Sequence, residues 1–330
     1  MQNNTAKKIV CIGGGTGTFV VLRGLKHYQH TLSAIVTMSD SGGSNRRLRD
    51  EFGLLPTSDL RQCLVALADE SGGVGLLRKL FMYRFEKGNG IAGMTFGNLF
   101  MAALTDILGS QEEAIRKTSK VLRIKGAVIP VTFTDTNLYA TYENGHTVSE
   151  EHLIDEPQHD GKLKITNVSL MPDAIANKDA LKAIKQADLV VIGPGDLYTS
   201  IIPNLLVPKI GDALAQTNAK VVYVLNLMTK FGQTYNFKAS DHVLAIEKFI
   251  GTSLDYVVVN KDAIPKKALD VYAACHEEPV IDDLTDDHCT VVRAPLISSA
   301  LIEKSAADTL VRSLIRHDSD LLAKTLVSLL

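Results

Sequence analysis

The sequence predicts an α/β fold with a mainly parallel sheet and helices on both of its faces. Short apolar runs of strand-forming residues alternate with longer segments of helical periodicity through most of the chain. The first strand also runs directly into a glycine-rich turn and a helix, which is how α/β proteins hold a phosphate. Such sheets bind ligands beyond the carboxyl ends of their strands, so functional residues are predicted at those ends.

The first strand, residues 9–12, leads into a turn with four glycines in five residues. Glycines let the backbone approach an anion, and the first amides of the next helix point at it with the positive end of the helix dipole. The spacing matches neither a dinucleotide fingerprint, which needs glycine or alanine at position 18, nor a P-loop, which needs a lysine after its last glycine. The alternative is a turn that only joins strand to helix. The residues predicted to bind phosphate, with either threonine able to cap the helix, are Gly13, Gly14, Gly15, Thr16, Gly17 and Thr18.

A second predicted strand, residues 32–38, ends in a turn of small and polar residues. Asp40 stands where an acidic residue often meets a ribose or a metal ion in such folds, although it also suits a solvated turn. The predicted site residues of this segment are Asp40, Gly42, Gly43 and Ser44. Three arginines follow, at positions 46, 47 and 49, and their guanidinium groups suit either a phosphate or a solvated face.

Residues 56–125 are predicted to form a helical insert or lid over the site, because they carry helices where plain alternation would place a strand. The predicted helices are 59–68, 76–85, 97–108 and 112–122. Asp59 and Gln62 resemble a capping box at the start of the first helix. No linker rich in proline, glycine or serine divides the chain, so residues 1–330 are predicted to be a single domain containing this insert.

Strands and helices alternate again after the insert. The predicted strands are 128–133, 138–142, 165–170, 189–192, 221–225 and 256–259, and the predicted helices are 179–186, 204–215 and 241–249. Asn144 and Gly145 form a hairpin turn, whereas residues 146–164 are polar and irregular.

A second glycine turn follows strand 189–192, and three hydroxyl side chains come close behind it. Amides and hydroxyls there suit a second phosphate or a sugar; a tight turn with a helix cap is the alternative. The predicted site residues are Gly193, Pro194, Gly195, Tyr198, Thr199 and Ser200. Asn226, at the end of the next strand, is a candidate either to read a base or to hold a loop.

Composition excludes several classes of function. A net charge of −2 provides no broad basic face, so no nucleic-acid partner is expected. The polar residues 1–8 are not a signal peptide, and no apolar run approaches the ~18 residues that span a bilayer, so no membrane insertion is expected. The four cysteines form no CxxC pair, which indicates a reducing cytoplasm. No metal site is predicted, because the acidic segment 282–288 is typical of a solvated loop.

Several stretches of the sequence occur in an order typical of one family. They are residues 13–17, 39–44 with 48–49, 59–68, 96–99, 192–195 with 197–200, 226–229, 239–242 and, more loosely, 316–318. Together they resemble the YvcK gluconeogenesis-factor family, which is related to the CofD 2-phospho-L-lactate transferases. The resemblance covers nearly the whole chain.

The resemblance implies a three-layer α/β fold with a Rossmann-like core, in a cytoplasmic protein needed for normal cell shape during growth on gluconeogenic carbon sources. It implies a nucleoside-diphosphate ligand. YvcK-type members bind UDP-sugars with no established reaction, whereas CofD-type members use magnesium to move a phospholactyl group from a guanosine diphosphate donor to a deazaflavin. It also adds Asn98 and Arg316 to the predicted ligand-binding residues. A homo-oligomer stays an open alternative.

The sequence departs from the family pattern at several positions. Ser41 stands where the family usually has a second aspartate, and Met94 where it usually has a histidine, so a magnesium ligand and an acid or base are missing. Asp196 replaces a usual serine beside the proposed phosphate. We therefore expect a regulatory protein that binds a UDP-sugar without turnover. The first alternative is a magnesium-dependent phosphoryl-group transferase, and a nicotinamide dehydrogenase is a third hypothesis from fold analogy alone.

Overall fold

The computed structural model describes residues 6–70, 73–298 and 314–330. The strands in these ranges are β1 (Lys8–Gly13), β2 (Thr31–Val36), β3 (Ala127–Pro130), β4 (Asn137–Tyr142), β5 (Thr147–Ser149), β6 (Ile165–Met171), β7 (Leu189–Ile192), β8 (Lys220–Val224), β9 (Tyr256–Asn260) and β10 (Thr290–Ala294). Seven of them form a parallel sheet in the spatial order β10-β9-β8-β7-β1-β2-β3. A small antiparallel sheet has the order β5-β4-β6. The predicted α/β fold with a mainly parallel sheet is confirmed.

Helices connect these strands. Those of the described residues are α1 (Thr16–Leu25), α2 (Gly43–Phe52), α3 (Ser58–Leu67), α4 (Val74–Met82), α5 (Phe96–Leu108), α6 (Gln111–Val121), α7 (Glu151–Asp155), α8 (Lys178–Lys185), α9 (Ile202–Leu205), α10 (Ile210–Ala215), α11 (Ala239–Ile250), α12 (Lys266–Ala274) and α13 (Ser319–Val327). A π-helical turn, Leu197–Ile201, precedes α9.

The helices cover both faces of the large sheet. Along β1, Ile9 and Cys11 pack in the cluster that contains α1, α3 and α13, whereas Val10 and Ile12 pack in the cluster that contains α8, α10 and α11. Side chains alternate between the faces because the period of a strand is two residues. A strand that is apolar on both faces is typical of a parallel sheet covered by helices, so the architecture has three layers.

The two predicted glycine turns lie side by side. They follow β1 and β7, which are neighbours in the sheet, and the Gly193 amide donates a hydrogen bond to the Ile12 carbonyl at 2.9 Å. The strand order runs from β1 towards β3 on one side and from β7 towards β10 on the other. Open α/β sheets form their ligand crevice where the order changes direction in this way.

Some local predictions were wrong. The single helix predicted for 204–215 is divided into α9 and α10, because Pro208 has no amide hydrogen to continue the first helix and Lys209 adopts a left-handed φ of +73°. The segment 146–164, predicted as irregular, contains β5 and α7. The elements α2, α12, β10 and α13 were not predicted.

The helices α2–α6 lie in sequence between β2 and β3, which are adjacent in the sheet. The predicted insert, 56–125, therefore contains α3–α6, and α2 begins before it. Its role as a lid and the single domain over 1–330 stay predictions; the start of the predicted polar segment, residues 1–5, lies outside the described residues. No helix of the described ranges has the length and apolar character needed to cross a membrane.

Candidate functional site

A cleft of about 520 Å³ lies at the carboxyl ends of β1, β7 and β8. The predicted site residues that line it are Gly15, Thr16, Gly17, Gly42, Gly43, Ser44, Pro194, Gly195, Ser200, Asn226 and Arg316. The remaining predicted residues do not line it, namely Gly13, Gly14, Thr18, Asp40, Asn98, Gly193, Tyr198 and Thr199. The structure thus brings both glycine turns to one cavity.

The first glycine turn packs tightly against its surroundings. Gly15 is the N-cap of α1, and a Cβ atom on Gly17 would overlap the carbonyl oxygen of Pro194. The Thr16 hydroxyl donates to Gln62 Oε1 at 3.1 Å, whereas Thr18 is buried and its Oγ1 has no partner among the described residues. The prediction that a threonine caps α1 was therefore wrong.

The predicted capping box of Asp59 and Gln62 was also wrong, because α3 begins at Ser58 after the N-cap Thr57. The two side chains reach the first glycine turn instead. A Cβ atom at position 15 would overlap both of them. A larger residue at this position would therefore require both side chains of α3 to move.

Asp40 holds the start of α2 and does not line the cleft. Its Oδ1 accepts the Gly42 amide at 2.9 Å, and its Oδ2 accepts the side-chain amide of Asn45. The Ser41 amide donates to Glu151 Oε2 at 3.3 Å. Burial and the charge of Asp40 raise the pKa of Glu151 well above its usual range. The end of β2 is thus a structural turn that is tied to α7.

Asn98 is fully buried and joins three helices beneath the cleft. Its Oδ1 accepts from Arg61 Nε at 2.9 Å, and its Nδ2 donates to the hydroxyls of Ser44 and Ser58 at 2.9 and 3.0 Å. Asn45 Oδ1 accepts from the same Ser58 hydroxyl at 3.0 Å. Asn98 therefore positions Ser44 and Ser58, which line the cleft, from behind.

Three helices, α1, α2 and α3, begin at the cleft, and the N-terminus of α3 is held by Asn45 Oδ1, which accepts the amides of Thr57 and Ser58 at 3.1 and 3.2 Å. The N-cap residues of the three helices are Gly15, Gly42 and Thr57, and none of these makes a side-chain capping bond within the described ranges. In contrast, the helices α5, α6, α8 and α13 begin with side chains that accept a backbone amide, namely Thr95, Ser110, Asn177 and Asp318. The N-terminal amides of a helix carry partial positive charge, so this wall of the cleft favours an anion.

The second glycine turn is closed by Asn226. The Gly195 amide donates to Asn226 Oδ1 at 3.3 Å, and Asn226 Nδ2 donates to the Gly195 carbonyl at 2.8 Å. The amide of Gly193 is already bonded to β1, and Pro194 has no amide hydrogen. These three residues therefore have no amide left for a phosphate.

The three hydroxyls behind this turn point in different directions. Tyr198 lies in the core, where burial and the charge of Asp241 raise its pKa to about 12. Thr199 Oγ1 accepts from Gln233 Nε2 at 3.2 Å. Ser200 is the one of the three that lines the cleft. Consecutive residues of a helical turn face different sides, so the structure does not bring the three hydroxyls together at the cleft.

Arginines supply positive charge to the cleft, which is lined by Arg47, Arg61, Arg84 and Arg316. Arg47 donates to carbonyls of the turn 90–92. The two other arginines predicted beside it do not line the cleft; they pair with acidic residues, Arg46 with Asp50 and Arg49 with Asp135. Of the predicted arginine group, only Arg47 is placed to meet a ligand.

On the β8 side, four charged residues from separate segments line the cleft, and we call them the carboxylate–lysine cluster: Asp155, Asp196, Lys230 and Glu277. Lys230 Nζ lies 3.6 Å from Asp155 Oδ1 and 3.9 Å from Glu277 Oε1. Burial and the charge of Asp155 raise the pKa of Asp196 to about 6, although Lys230 opposes the shift. Burial would lower the pKa of Lys230, but the three carboxylates hold it above its ordinary value.

The comparisons with known proteins agree with this architecture. A family model described as 2-phospho-L-lactate transferase CofD matches residues 9–297. The chain belongs to this CofD family. The gluconeogenesis factor of Bacillus subtilis is 40% identical over 328 residues, which cover 98% of each chain. A putative gluconeogenesis factor of a Nostoc species is 43% identical over 323 residues, covering 97% of this chain and 68% of the relative.

A solved structure shares the fold of this CofD-family chain. It is a UPF0052-family protein from Bacillus halodurans with a TM-score of 0.88 and 36% identity, and the match covers 98% of this chain and 99% of the other. The predicted resemblance to the gluconeogenesis factors and CofD proteins is confirmed.

Sequence reasoning missed most of the carboxylate–lysine cluster. Lys230 follows the end of β8, and the rule that functional residues lie at strand ends would have found it. Asp155 lies in the segment predicted as irregular, and Glu277 follows α12, which was not predicted. No local pattern marks either residue, because only the tertiary fold brings them to the cleft.

The Asp40–Ser41 pair, where the CofD-type reaction implies magnesium, makes hydrogen bonds within the protein. Both oxygens of Asp40 accept hydrogen bonds from α2, and the Ser41 hydroxyl accepts the His152 amide at 3.1 Å. Within the described ranges, no three His, Cys, Asp or Glu side chains come together as a metal-ligand group.

Proposed function

We propose that this chain binds a nucleoside diphosphate that carries a sugar, of the UDP-sugar kind, in the cleft. In this proposal it is a cytoplasmic regulatory protein that does not turn its ligand over, and it supports gluconeogenic growth and normal cell shape. The name gluconeogenesis factor, which its Bacillus subtilis relative carries, supports the physiological part of the proposal.

The observation that carries the proposal is that three helix N-termini, those of α1, α2 and α3, meet at one cleft. The first amides of each N-terminus carry about half a positive charge together. A diphosphate provides enough oxygen acceptors and negative charge to satisfy several of them together. The cavity volume of about 520 Å³ is in the range of small-molecule sites.

Position 43 offers a sharp test, because Gly43 is the first residue of α2, lines the cleft and has open space around it. Its φ of +51° is a conformation that asparagine and aspartate tolerate best after glycine. Gly43→Asn and Gly43→Asp are therefore matched in size and backbone strain and differ in charge. We expect Gly43→Asp to bind UDP-N-acetylglucosamine at least tenfold more weakly than Gly43→Asn in calorimetric titrations, about 1.4 kcal/mol.

The free energy of unfolding of these two variants provides the control. An aspartate in the first turn stabilises a helix by ~0.3–1 kcal/mol, so the ligand-free Gly43→Asp protein should be at least as stable as Gly43→Asn. Weaker binding with undiminished stability would show that charge at the site is responsible. Equal affinities for the two variants would contradict a diphosphate at the N-terminus of α2.

The alternative function is phospholactyl transfer from a nucleoside diphosphate donor, which the description of the family model favours. It is the weaker proposal, because Ser41 replaces the usual aspartate and Asp40 is bonded to α2. Wild-type protein incubated with magnesium, a guanosine diphosphate donor and a deazaflavin acceptor should form no product beyond the background rate. Steady product formation would replace the regulatory proposal with the transferase.

A further inference from the structure

The β8 side of the cleft differs in chemistry from the wall of helix N-termini. The carboxylate–lysine cluster places three carboxylates around one ammonium group. When all are ionised, the excess of negative charge repels a phosphate. A carboxylate group has about four acceptor positions, and an ammonium group has three donors, so the cluster suits groups that both donate and accept hydrogen bonds.

The bonds within the protein leave part of this capacity unused. Asp155 Oδ1 accepts from Gln233 Nε2 at 3.0 Å and faces Lys230, and Glu277 accepts from the backbone of Phe231. The side chains of Lys230 and Glu277 keep 17% and 13% of their surface exposed, and this surface borders the cleft. The polar atoms that remain are available to a ligand.

His317 is an independent sign of a ligand on the same side. It is 94% buried, lines the cleft, and bonds the backbone of Leu225 at the end of β8. Burial lowers its pKa to about 4, so the ring is neutral at physiological pH. Its Nε2 has no partner within the described ranges and, with the other nitrogen bonded to the backbone, is left as an acceptor. A buried acceptor without a partner is unfavourable unless a ligand supplies a donor.

We infer that the carboxylate–lysine cluster and His317 form a hydroxyl-binding subsite, which holds the sugar of the ligand while the helix N-termini hold the diphosphate. Neighbouring hydroxyls of a sugar can donate hydrogen bonds to carboxylates and to a neutral imidazole, and they can accept them from an ammonium group. They therefore match the side chains of the carboxylate–lysine cluster and of His317. Asp196 directly follows the second glycine turn, which places the subsite next to the rest of the cleft. The inference rests on the proposed function.

The test compares UDP with UDP-glucose, because only the second compound carries the sugar. Calorimetric titrations give the affinity ratio of UDP-glucose to UDP for wild type, for Glu277→Gln and for Glu278→Gln. Glu278 is the matched control, since it is the neighbouring glutamate, is exposed and does not line the cleft. We expect Glu277→Gln to lower the ratio about tenfold and Glu278→Gln to leave it unchanged, with UDP affinity within twofold in both. Asp196→Asn, which also preserves shape, should lower the ratio as well.

The possible outcomes separate the inference from the proposed function. Unchanged UDP affinity shows that a variant has kept its fold at the site. A wild-type ratio near one, or a ratio unaltered in both Glu277→Gln and Asp196→Asn, would overturn the sugar subsite while nucleotide binding stands. An equal loss of UDP and UDP-glucose affinity in Glu277→Gln would overturn it in favour of a base or phosphate contact. If wild type binds neither compound, the proposed function itself fails.

Discussion

The two glycine turns look alike in the sequence, but their backbone amides have different partners in the structure. Both follow a strand of the parallel sheet, both line the cleft, and they lie side by side. The first one leads into α1, whose N-cap residue Gly15 has no capping side chain, so the partial positive charge of the first amides faces the cleft. In the second one, the Gly195 amide is bonded to Asn226 and Pro194 has no amide hydrogen.

The difference shows that glycine content alone does not identify a phosphate site. Glycines permit close approach of the backbone, but the approaching group is either a ligand or another part of the protein. Gly17 is an example inside the first turn, because its hydrogen faces the carbonyl of Pro194 in the second turn. The amides that follow a glycine turn decide its function, and their availability depends on tertiary contacts.

Gly17→Ala should have the largest effect, since it breaks the contact between the two turns. The added Cβ atom would overlap the Pro194 carbonyl, a backbone atom that moves only with the whole turn. We expect the free energy of unfolding to fall by about 3 kcal/mol, at the upper end of the range for overpacking. Urea denaturation followed by circular dichroism measures this loss.

Gly73→Ala is the control for that substitution. Gly73 also stands at the start of a helix, α4, and apart from its chain neighbours no atom of the described residues lies within 4 Å of the position that its Cβ would take. Its stability should stay within ~0.5 kcal/mol of wild type, as is usual for surface substitutions. If Gly17→Ala is equally harmless, the two turns do not pack as described.

Asn226→Ala should have a smaller effect, because it removes the two hydrogen bonds that close the second turn. We expect a loss of about 1–2 kcal/mol in the free energy of unfolding. The affinity for UDP-N-acetylglucosamine should change less than threefold, since the side chain already bonds Gly195. A loss of stability with little change in affinity would show that Asn226 holds the turn in place and does not contact the ligand. A tenfold loss of affinity at unchanged stability would show instead that it reads the ligand.

The sequence predicted the sheet well and the direction of side chains poorly. Strand 189–192 was predicted with the bounds of β7, because a buried parallel strand is a continuous apolar run between polar residues. The site at the ends of β1 and β7 was predicted from the general rule for parallel sheets. Asn98, in contrast, was assigned to the ligand, whereas it bonds Ser44 and Ser58 from behind.

The errors share a physical cause. A polar residue near a strand end is needed either for a ligand or for the buried amides and hydroxyls around it, and both uses select the same residue types. Asp40 and Asp59 illustrate the second use, since the first holds α2 and the second packs against Gly15. Their partners lie on other segments of the chain. Only the folded structure therefore shows whether such a residue bonds to the protein or is left for a ligand.

The smallest expected effects come from the hydroxyl groups that follow the second glycine turn, where Tyr198 and Ser200 can be compared. Tyr198→Phe removes a hydroxyl that belongs to a core side chain, so the affinity for UDP-N-acetylglucosamine should stay within twofold of wild type. Ser200→Ala removes the hydroxyl that lines the cleft beside Gly14 and should weaken binding two- to fivefold, ~0.5–1 kcal/mol. Both substitutions delete one hydroxyl oxygen. A difference in affinity between the two variants would therefore come from where each hydroxyl points and not from the kind of group removed. The reverse order of effects would mean that Tyr198 turns towards the ligand and that the second turn contributes a hydroxyl from its far side.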